Sequence, residues 1–156
     1  LNSIQKALLS FTGANRRFEF KGTVNGANIY DDYGHHPTEI VATAKALMNK
    51  KYNKSWVVFQ PHTYSRTKNL MDDFAKALLN FDNIIILDIY AAREKNTYDV
   101  TSKDLADKIC SLGKDALYIP DFNDCVKYLK ENLQENDIII TQGAGTVTEI
   151  GPMLLK

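Results

Sequence analysis

Short apolar runs alternate along the chain with longer segments in which apolar residues recur every three or four positions. The short runs are typical of strands buried on both faces, and they lie at 55–60, 83–90, 116–120 and 137–142. The longer segments have the period of amphipathic helices and lie at 38–50, 66–81, 102–112 and 121–133. The chain therefore reads as strand and helix in regular alternation.

Cap signals mark the starts of several predicted helices. Ser65 is expected to cap the helix over 66–81. Thr101 and Asp104 have the spacing of a capping box, and the helix that follows them is expected to end at a glycine, Gly113. Thr146 has the same spacing to Glu149, at the start of a last helix.

The N-terminal part has a different pattern. Asn25-Gly26 separates "FEFKGTV" (18–24) from "ANIYDD" (27–32), which is a strong signal for a two-residue hairpin. Pro37 then stands where the first turn of a helix tolerates proline. Before the hairpin, "NSIQKALLSF" (2–11) predicts an amphipathic helix. Because the chain starts inside this helix, we expect it to be part of a longer protein.

These elements predict one domain over residues 1–156 with an α/β fold. Strands separated by helices imply a mainly parallel, doubly wound, Rossmann-like sheet with helices on both faces. The hairpin is expected to add one antiparallel strand near the N-terminus. The order of the strands in the sheet stays open at this point.

Composition narrows the class of protein. The 156 residues are 44% hydrophobic and 24% charged, with 19 basic and 19 acidic side chains. Zero net charge argues against broad electrostatic capture of nucleic acid or of a membrane surface. Cys110 and Cys125 lie on apolar helical stripes and are interpreted as buried packing residues, which favours a reducing cytoplasm.

Polar residues concentrate where the predicted strands end. In open α/β sheets, ligands bind beyond the carboxyl ends of the strands. Four strand-to-helix junctions carry the candidates, and all three histidines lie on the first two: Asp31, Asp32, Tyr33, His35 and His36; Gln60, His62, Tyr64 and Arg66; Asp88, Tyr90, Arg93 and Glu94; Gln142, Gly143, Ala144 and Gly145. We therefore expect a site on this edge of the sheet.

Other interpretations of these residues stay open. His35 and His36 could cap a helix, or could join His62 and Asp32 in a metal-dependent hydrolase, although no HxH or HExxH spacing is present. Arg66 could pair with a surface aspartate of its own helix. The chain could also be a stand-alone nucleotide-binding module, although it has no GxGxxG motif. Neither a GxxxxGK[ST] loop nor a nucleophile elbow occurs.

Two arginines precede the first predicted strand. Asn15-Arg16-Arg17 could be a simple basic turn. Alternatively, the position of Arg17 just before the strand would let its guanidinium reach an anion.

Five ordered segments resemble the C-terminal domain of the Mur ligases, from about residue 11 to residue 150. They are "FTGANRRFEFKG", "YDDYGHHPTEI", "FQPHTYSRT", "DIYAARE" and "TQGAGT". "FQPHTYSRT" favours the family members that add L-alanine to UDP-N-acetylmuramate. "HHP" alone would also fit the ligases that recycle murein peptides.

The resemblance implies an ATP-dependent cytoplasmic ligase of peptidoglycan synthesis, of which this chain would be the third domain. ATP and Mg²⁺ would be held mainly by a central domain. UDP-N-acetylmuramate and L-alanine would be the partners, with no nucleic acid and no membrane. An isolated third domain would be inactive.

The resemblance also implies roles for individual residues. Arg17 would reach the ATP phosphates, and Asp32 would accept from the ribose hydroxyls. Tyr33, His35 and His36 would line the nucleotide and acyl-phosphate side, with Arg17 and the two histidines catalytic. On the amino-acid side, His62 would lie near the alanine, whose carboxylate would pair with Arg66. The Gly143-Ala144-Gly145 turn would shape the alanine pocket, and no residue is expected to bind a metal.

Overall fold

The computed structural model describes residues 16–156. Its elements follow the predicted alternation: β1 (Glu19–Val24), β2 (Ala27–Asp32), α1 (Pro37–Leu47), β3 (Ser55–Phe59), α2 (Tyr64–Asn69), α3 (Met71–Leu78), β4 (Asn83–Ile86), α4 (Ser102–Ser111), β5 (Ala116–Tyr118), α5 (Phe122–Asn132), β6 (Ile138–Gln142), a 3₁₀ turn (Thr146–Glu149) and α6 (Ile150–Leu154). The helix predicted over 2–11 lies outside the described residues.

The strands form one six-stranded sheet in the order β1-β2-β6-β3-β4-β5. β1 pairs antiparallel with β2, and every other neighbouring pair is parallel. The predicted fold class is therefore confirmed, including the antiparallel strand at the N-terminal edge. Among residues 16–156, no helix is long and apolar enough to cross a bilayer.

Apolar side chains that alternate along the central strands build a separate core on each face. On one face, Val57, Phe59, Ile84 and Ile86 pack with residues of α1, α3 and α4. On the other, Trp56, Val58, Ile85 and Ile139 pack with residues of α5 and α6. Continuous apolar runs in β3, β4 and β6 are what a sheet covered on both sides requires.

Several boundaries differ from the predictions. The segment 66–81 is not one helix, because the chain breaks at Leu70, which ends α2 and precedes α3. The strand predicted over 83–90 ends at Ile86. Its last residues instead form a loop, from which Tyr90 makes a single parallel bridge with His62.

Two predicted caps are wrong, and one is confirmed. Ser65 lies inside α2 rather than before it, and its hydroxyl bonds the carboxylate of Glu94. The 3₁₀ turn begins after Gly145 with no side-chain cap, while Thr146 pairs with a glutamine, Gln60. The Thr101 capping box is formed with both of its hydrogen bonds.

The two cysteines differ in their burial. Cys125 is fully buried against the second core, as predicted. Cys110 is exposed, so its interpretation as a buried thiol is wrong. Cys110 is the last residue but one of α4 and does not lie on the buried face of that helix, which Leu105, Ala106 and Ile109 form.

Candidate functional site

The carboxyl ends of β2, β6 and β3 lie side by side at one edge of the sheet. The N–H of Gly143 donates to the carbonyl of Asp32 at 3.0 Å, and the N–H of Gln60 donates to the carbonyl of Gln142 at 3.1 Å. The chain leaves β2 toward one face of the sheet and β6 toward the other. This change of direction opens a crevice, which is where doubly wound sheets bind ligands.

Asp32 occupies the centre of the first junction. Its Oδ1 accepts from the N–H of Gly34 and from Nε2 of Gln142, both at 2.8 Å. Its Oδ2 accepts from the N–H of Phe18 at 2.9 Å. Since a carboxylate offers about four acceptor positions, these three bonds leave room for about one more donor. Asp32 thus fixes three chain segments and can still accept one hydroxyl.

A cavity of about 370 Å³ opens beside Asp32. Arg17 and Tyr33, both exposed, stand at its rim. Ala42, Thr43 and Ala46 of α1 form the opposite wall. The cavity therefore combines a cation, a carboxylate and a wall of small side chains.

Aromatic rings connect the first junction to the third. The centroids of Tyr33 and His35 are 5.3 Å apart, and those of His35 and His62 are 5.7 Å apart. The ring of His62 then stacks on that of Tyr90 at 5.5 Å. Tyr33 and His35 of the first junction and His62 of the second are thus in contact, together with Tyr90 of the third, for which the sequence suggested no role.

His62 and Arg66 face each other across one helical turn. Nη1 of Arg66 lies 3.2 Å from Nδ1 of His62 and 3.3 Å from its carbonyl oxygen. Burial, followed by the charges of Arg66 and His35, lowers the pKa of His62, against an opposing effect of Glu94. The imidazole is therefore mainly neutral at pH 7. Because Nδ1 faces a donor, the ring proton lies on Nε2.

Glu94 supports the helix that carries Arg66. Its carboxylate accepts from the N–H of Ser65 at 2.9 Å and from the Ser65 hydroxyl. The Ser65 hydroxyl bond is the main reason that the pKa of Glu94 is lowered. Thr63, at the start of α2, provides no side-chain cap and has a φ of 69°, rare for a β-branched residue. Glu94, from the third junction, thus accepts from the start of α2, which has no side-chain cap from its own junction.

His36 is oriented differently from His35. It is the N-cap of α1, where its Nδ1 accepts from the N–H of Thr38 at 3.3 Å and a carboxylate, Glu39, completes a capping box. Its ring lines a second cavity, beside Pro37 and Val41, instead of the cavity that contains Asp32. The interpretation of His36 as a helix cap therefore matches its geometry.

The Gly-Ala-Gly turn needs both of its glycines for space. A Cβ on Gly143, whose φ is +143°, would lie 2.7 Å from the carbonyl oxygen of Gln60. A Cβ on Gly145 would lie 2.5 Å from Oε1 of Gln60 and 2.6 Å from the ring of Tyr90. Ala144, between them, is half-buried. The turn thus brings its backbone against the second and third junctions.

Three residues at the crevice were not assigned a role in it from the sequence. Arg16 was interpreted as a possible basic turn, yet it donates to Asp31 at 2.8 Å and to Gly143 at 2.6 Å. Gln60 and Gln142 were named at the junctions without a role, although both are buried. Their signal was present: each is an amide at the end of a mainly apolar strand, a position where an unpaired polar group would be costly.

The metal hypothesis has no geometric support in the described part of the chain. No group of three or more histidine, cysteine or acidic side chains in residues 16–156 is arranged to hold a metal ion. Arg66, for its part, forms no ion pair with Asp72 or Asp73 in the part of the chain that the structure describes, and Asp72 instead bonds Lys108 at 2.8 Å.

Residues 16–145 match the family described as "Mur ligase, glutamate ligase domain". The chain belongs to the Mur ligase family. The resemblance seen in the five sequence segments is therefore confirmed. This Mur ligase domain is 53% identical, over all of its 156 residues, to the UDP-N-acetylmuramate–L-alanine ligase of Acetivibrio thermocellus, of which it covers 33%. It is 54% identical over 146 residues to the enzyme of that name from Caldanaerobacter subterraneus, covering 94% of this chain and 32% of the relative.

Solved structures of other proteins have the same fold as this domain. The crystal structure of the UDP-N-acetylmuramate–alanine ligase of Thermotoga maritima matches 96% of this domain and 31% of that chain, with a TM-score of 0.77 and 27% identity. A murein peptide ligase from Psychrobacter arcticus has the same fold, with a TM-score of 0.77 at 22% identity, over 96% of this chain and 31% of its own. The domain thus spans about a third of the length of the relatives that it matches.

Proposed function

We propose that this chain is the C-terminal domain of a cytoplasmic, ATP-dependent ligase that joins L-alanine to UDP-N-acetylmuramate in peptidoglycan synthesis. The observation that carries the proposal is the identity of about half of all residues with alanine ligases over the whole chain. The crevice adds physical support, since cationic, acidic and aromatic side chains from three junctions meet there.

The chemistry explains why such a crevice is useful. A free carboxylate does not form an amide at a useful rate, so the muramyl carboxylate first attacks the γ-phosphate of ATP and becomes an acyl phosphate, releasing ADP. The amine of L-alanine then attacks the acyl carbon, and inorganic phosphate leaves from the tetrahedral intermediate. The work of the protein is orientation of the reactants and stabilisation of phosphate charge.

On the nucleotide side, we assign Arg17 to the phosphates and Asp32 to a ribose hydroxyl. Arg17 is exposed at the cavity rim, where a guanidinium would meet ATP when the rest of the enzyme closes over it. The remaining acceptor position of Asp32 fits one hydroxyl donor. Tyr33 and His35 would line the wall between the nucleotide and the acyl phosphate.

The expected catalytic role of His36 becomes a supporting one in this proposal. Its Nδ1 is used at the helix N-terminus, and its ring lines the neighbouring cavity. By capping α1 it holds the preceding turn, on which His35 and Tyr33 lie. His35 keeps the catalytic assignment, because its ring faces His62 across the crevice.

On the amino-acid side, we assign Arg66 to the carboxylate of L-alanine and His62 to the neighbourhood of its amine. A neutral imidazole beside the guanidinium adds no repulsion to the incoming ammonium. The Gly143-Ala144-Gly145 turn would form the floor of the pocket, where the absence of side chains at both glycines leaves the backbone close to the second junction.

Mg²⁺ would be bound by the remainder of the longer protein. Both carboxylate oxygens of Asp32 already accept N–H groups, and the described residues form no cluster suited to a metal ion. These side chains do not fit a magnesium site, so no step of the reaction is assigned to the ion here.

The direct test is an assay of the full-length protein with ATP, UDP-N-acetylmuramate and single amino acids. ADP release is expected only when both UDP-N-acetylmuramate and L-alanine are present, with a product heavier than the nucleotide sugar by one alanine residue. Activity with L-alanyl-γ-D-glutamyl-diaminopimelate in place of L-alanine would instead identify a recycling ligase. Tight ATP binding by residues 1–156 alone, measured by calorimetry, would favour a stand-alone nucleotide-binding module.

A further inference from the structure

Arg16 contacts the crevice on two sides, through residues 15 and 127 positions away in the chain. Its Nε donates to Oδ2 of Asp31 at 2.8 Å, and its Nη2 donates to the carbonyl oxygen of Gly143 at 2.6 Å. Its guanidinium carbon also lies 5.1 Å from the centre of the Tyr33 ring. One side chain therefore joins the end of β2 to the turn that follows β6.

Asp31 is held on every side. It is fully buried, and besides Arg16 it accepts from the hydroxyls of Thr141 at 2.6 Å and Thr148 at 3.0 Å. A buried carboxylate needs such partners, because removal of one leaves the charge uncompensated. The orientation of Asp31 is therefore fixed, and it fixes the guanidinium of Arg16 in turn.

The backbone around Arg17 depends on this arrangement. Arg16 and Phe18, on either side of it, have positive φ angles of 59° and 45°. Such conformations are unfavourable for residues other than glycine and persist where neighbouring contacts impose them. Here the carbonyl of Arg16 accepts from the N–H of Tyr33 at 2.6 Å, and the N–H of Phe18 donates to Asp32 at 2.9 Å. The direction of Arg17 thus follows from how its neighbours are anchored.

We propose that Arg16, through its ion pair with the buried Asp31, is a positioning residue that holds Arg17 and the Gly143 turn in one fixed relation. This inference rests on the proposed ligase function, in which Arg17 serves the nucleotide and the turn serves the amino acid. Lysine is not an equivalent, because a single ammonium lacks the planar fork that reaches two acceptors. The role is therefore specific to arginine.

The test uses the full-length ligase with the variants Arg16→Lys, Arg16→Gln, Asp31→Asn and the double variant Arg16→Gln/Asp31→Asn. We expect kcat to fall about 10- to 100-fold in each, since displacement of a reacting group by about 1 Å has effects of that size. The double variant should lose about as much as one single variant. Lys103→Gln is the matched control: it removes an exposed ion pair, 2.6 Å from Asp107, and should leave kcat unchanged.

The readouts separate positioning from mere stability. Melting temperatures and active-site titration give the folded, active fraction, to which each kcat is normalised. Any of three results overturns the positioning role. The first is that Arg16→Lys keeps the wild-type kcat, and the second is that the losses of kcat disappear on normalisation. The third is that the losses of Arg16→Gln and Asp31→Asn multiply in the double variant. A wild-type enzyme that forms no ADP with L-alanine contradicts the proposed function, and the role of Arg16 falls with it. An active wild type with unaffected variants contradicts the role of Arg16 alone.

Discussion

The guanidinium of Arg66 lies 3.2 Å from Nδ1 of His62, one helical turn earlier in the chain. This contact brings a permanent cation against a titratable ring that is already partly buried. Both effects favour the neutral ring. The pair therefore presents one charged donor and one uncharged imidazole to the crevice.

His62 is accordingly expected to titrate below the ordinary histidine pKa of 6.5. Burial comes first among the causes, and the charge of Arg66 second, so Arg66→Gln should raise the pKa of His62 toward 6.5 without reaching it. Titration of the imidazole proton resonances by NMR measures both values. A His62 pKa at or above 6.5 in the wild-type protein would contradict the environment described here.

The same shift gives a pH dependence of stability. The folded pKa of His62 is below the unfolded value of 6.5, so between the two values the unfolded state binds more protons. The contribution of His62 to the free energy of unfolding is therefore fully present above pH 6.5 and is lost as the pH falls through the folded pKa. Urea unfolding of the wild type and of His62→Asn across this range should show a difference that grows with pH up to about 6.5 and is constant above it.

Arg66→Ala in the full-length enzyme should raise the KM for L-alanine far more than the KM for ATP. A lost charge-assisted hydrogen bond costs roughly 1.5–3 kcal/mol, which corresponds to about a 10- to 150-fold change. Lys68→Ala, on an exposed position of the same helix, is the control and should change neither constant. Equal increases for both substrates would show that Arg66 does not serve the amino acid.

Gly145→Ala should destabilise the domain by about 1–3 kcal/mol, as overpacking of a tight contact does. The reason is that the new Cβ would meet Gln60 and Tyr90 at 2.5–2.6 Å. Gly151→Ala, in α6, is the matched control, because the nearest atom to its Cβ would be 3.7 Å away. It should be neutral or stabilising. Denaturant unfolding of the two variants gives the comparison, and equal effects would refute the close approach at Gly145.

The two thiols should react differently in the native protein. Cys110 is exposed, whereas Cys125 is fully buried, and burial raises the pKa of the Cys125 thiol to about 12. One equivalent of a thiol reagent should therefore label Cys110 rapidly, and Cys125 should react only on unfolding. Mass spectrometry of the labelled peptides identifies the site. Rapid labelling of Cys125 under native conditions would contradict its place in the core.

The fold class was open to prediction from the sequence because it depends on local patterns. Apolar runs marked the central strands, Asn25-Gly26 marked the hairpin, and the Thr101 capping box marked a helix start, all as the structure has them. Each of these signals is contained within a few neighbouring residues. The failures are of another kind: α2 and α3 are separate helices, although their sequence is continuous with helical periodicity. Leu70 between them leaves the helical conformation (φ −114°, ψ 20°), and no local signal such as glycine or proline marks the break.

The sequence by itself determined which residues gather at the strand ends, and hence that a polar crevice forms there. Only the tertiary structure decided which role each of them has: Asp32 holds three segments, His36 caps a helix, and Arg16 rather than its neighbour pairs with Asp31. The strand order, which places β6 between β2 and β3, brings these groups together. Contacts across this order join residues more than a hundred positions apart, and no local periodicity encodes a pairing over that distance.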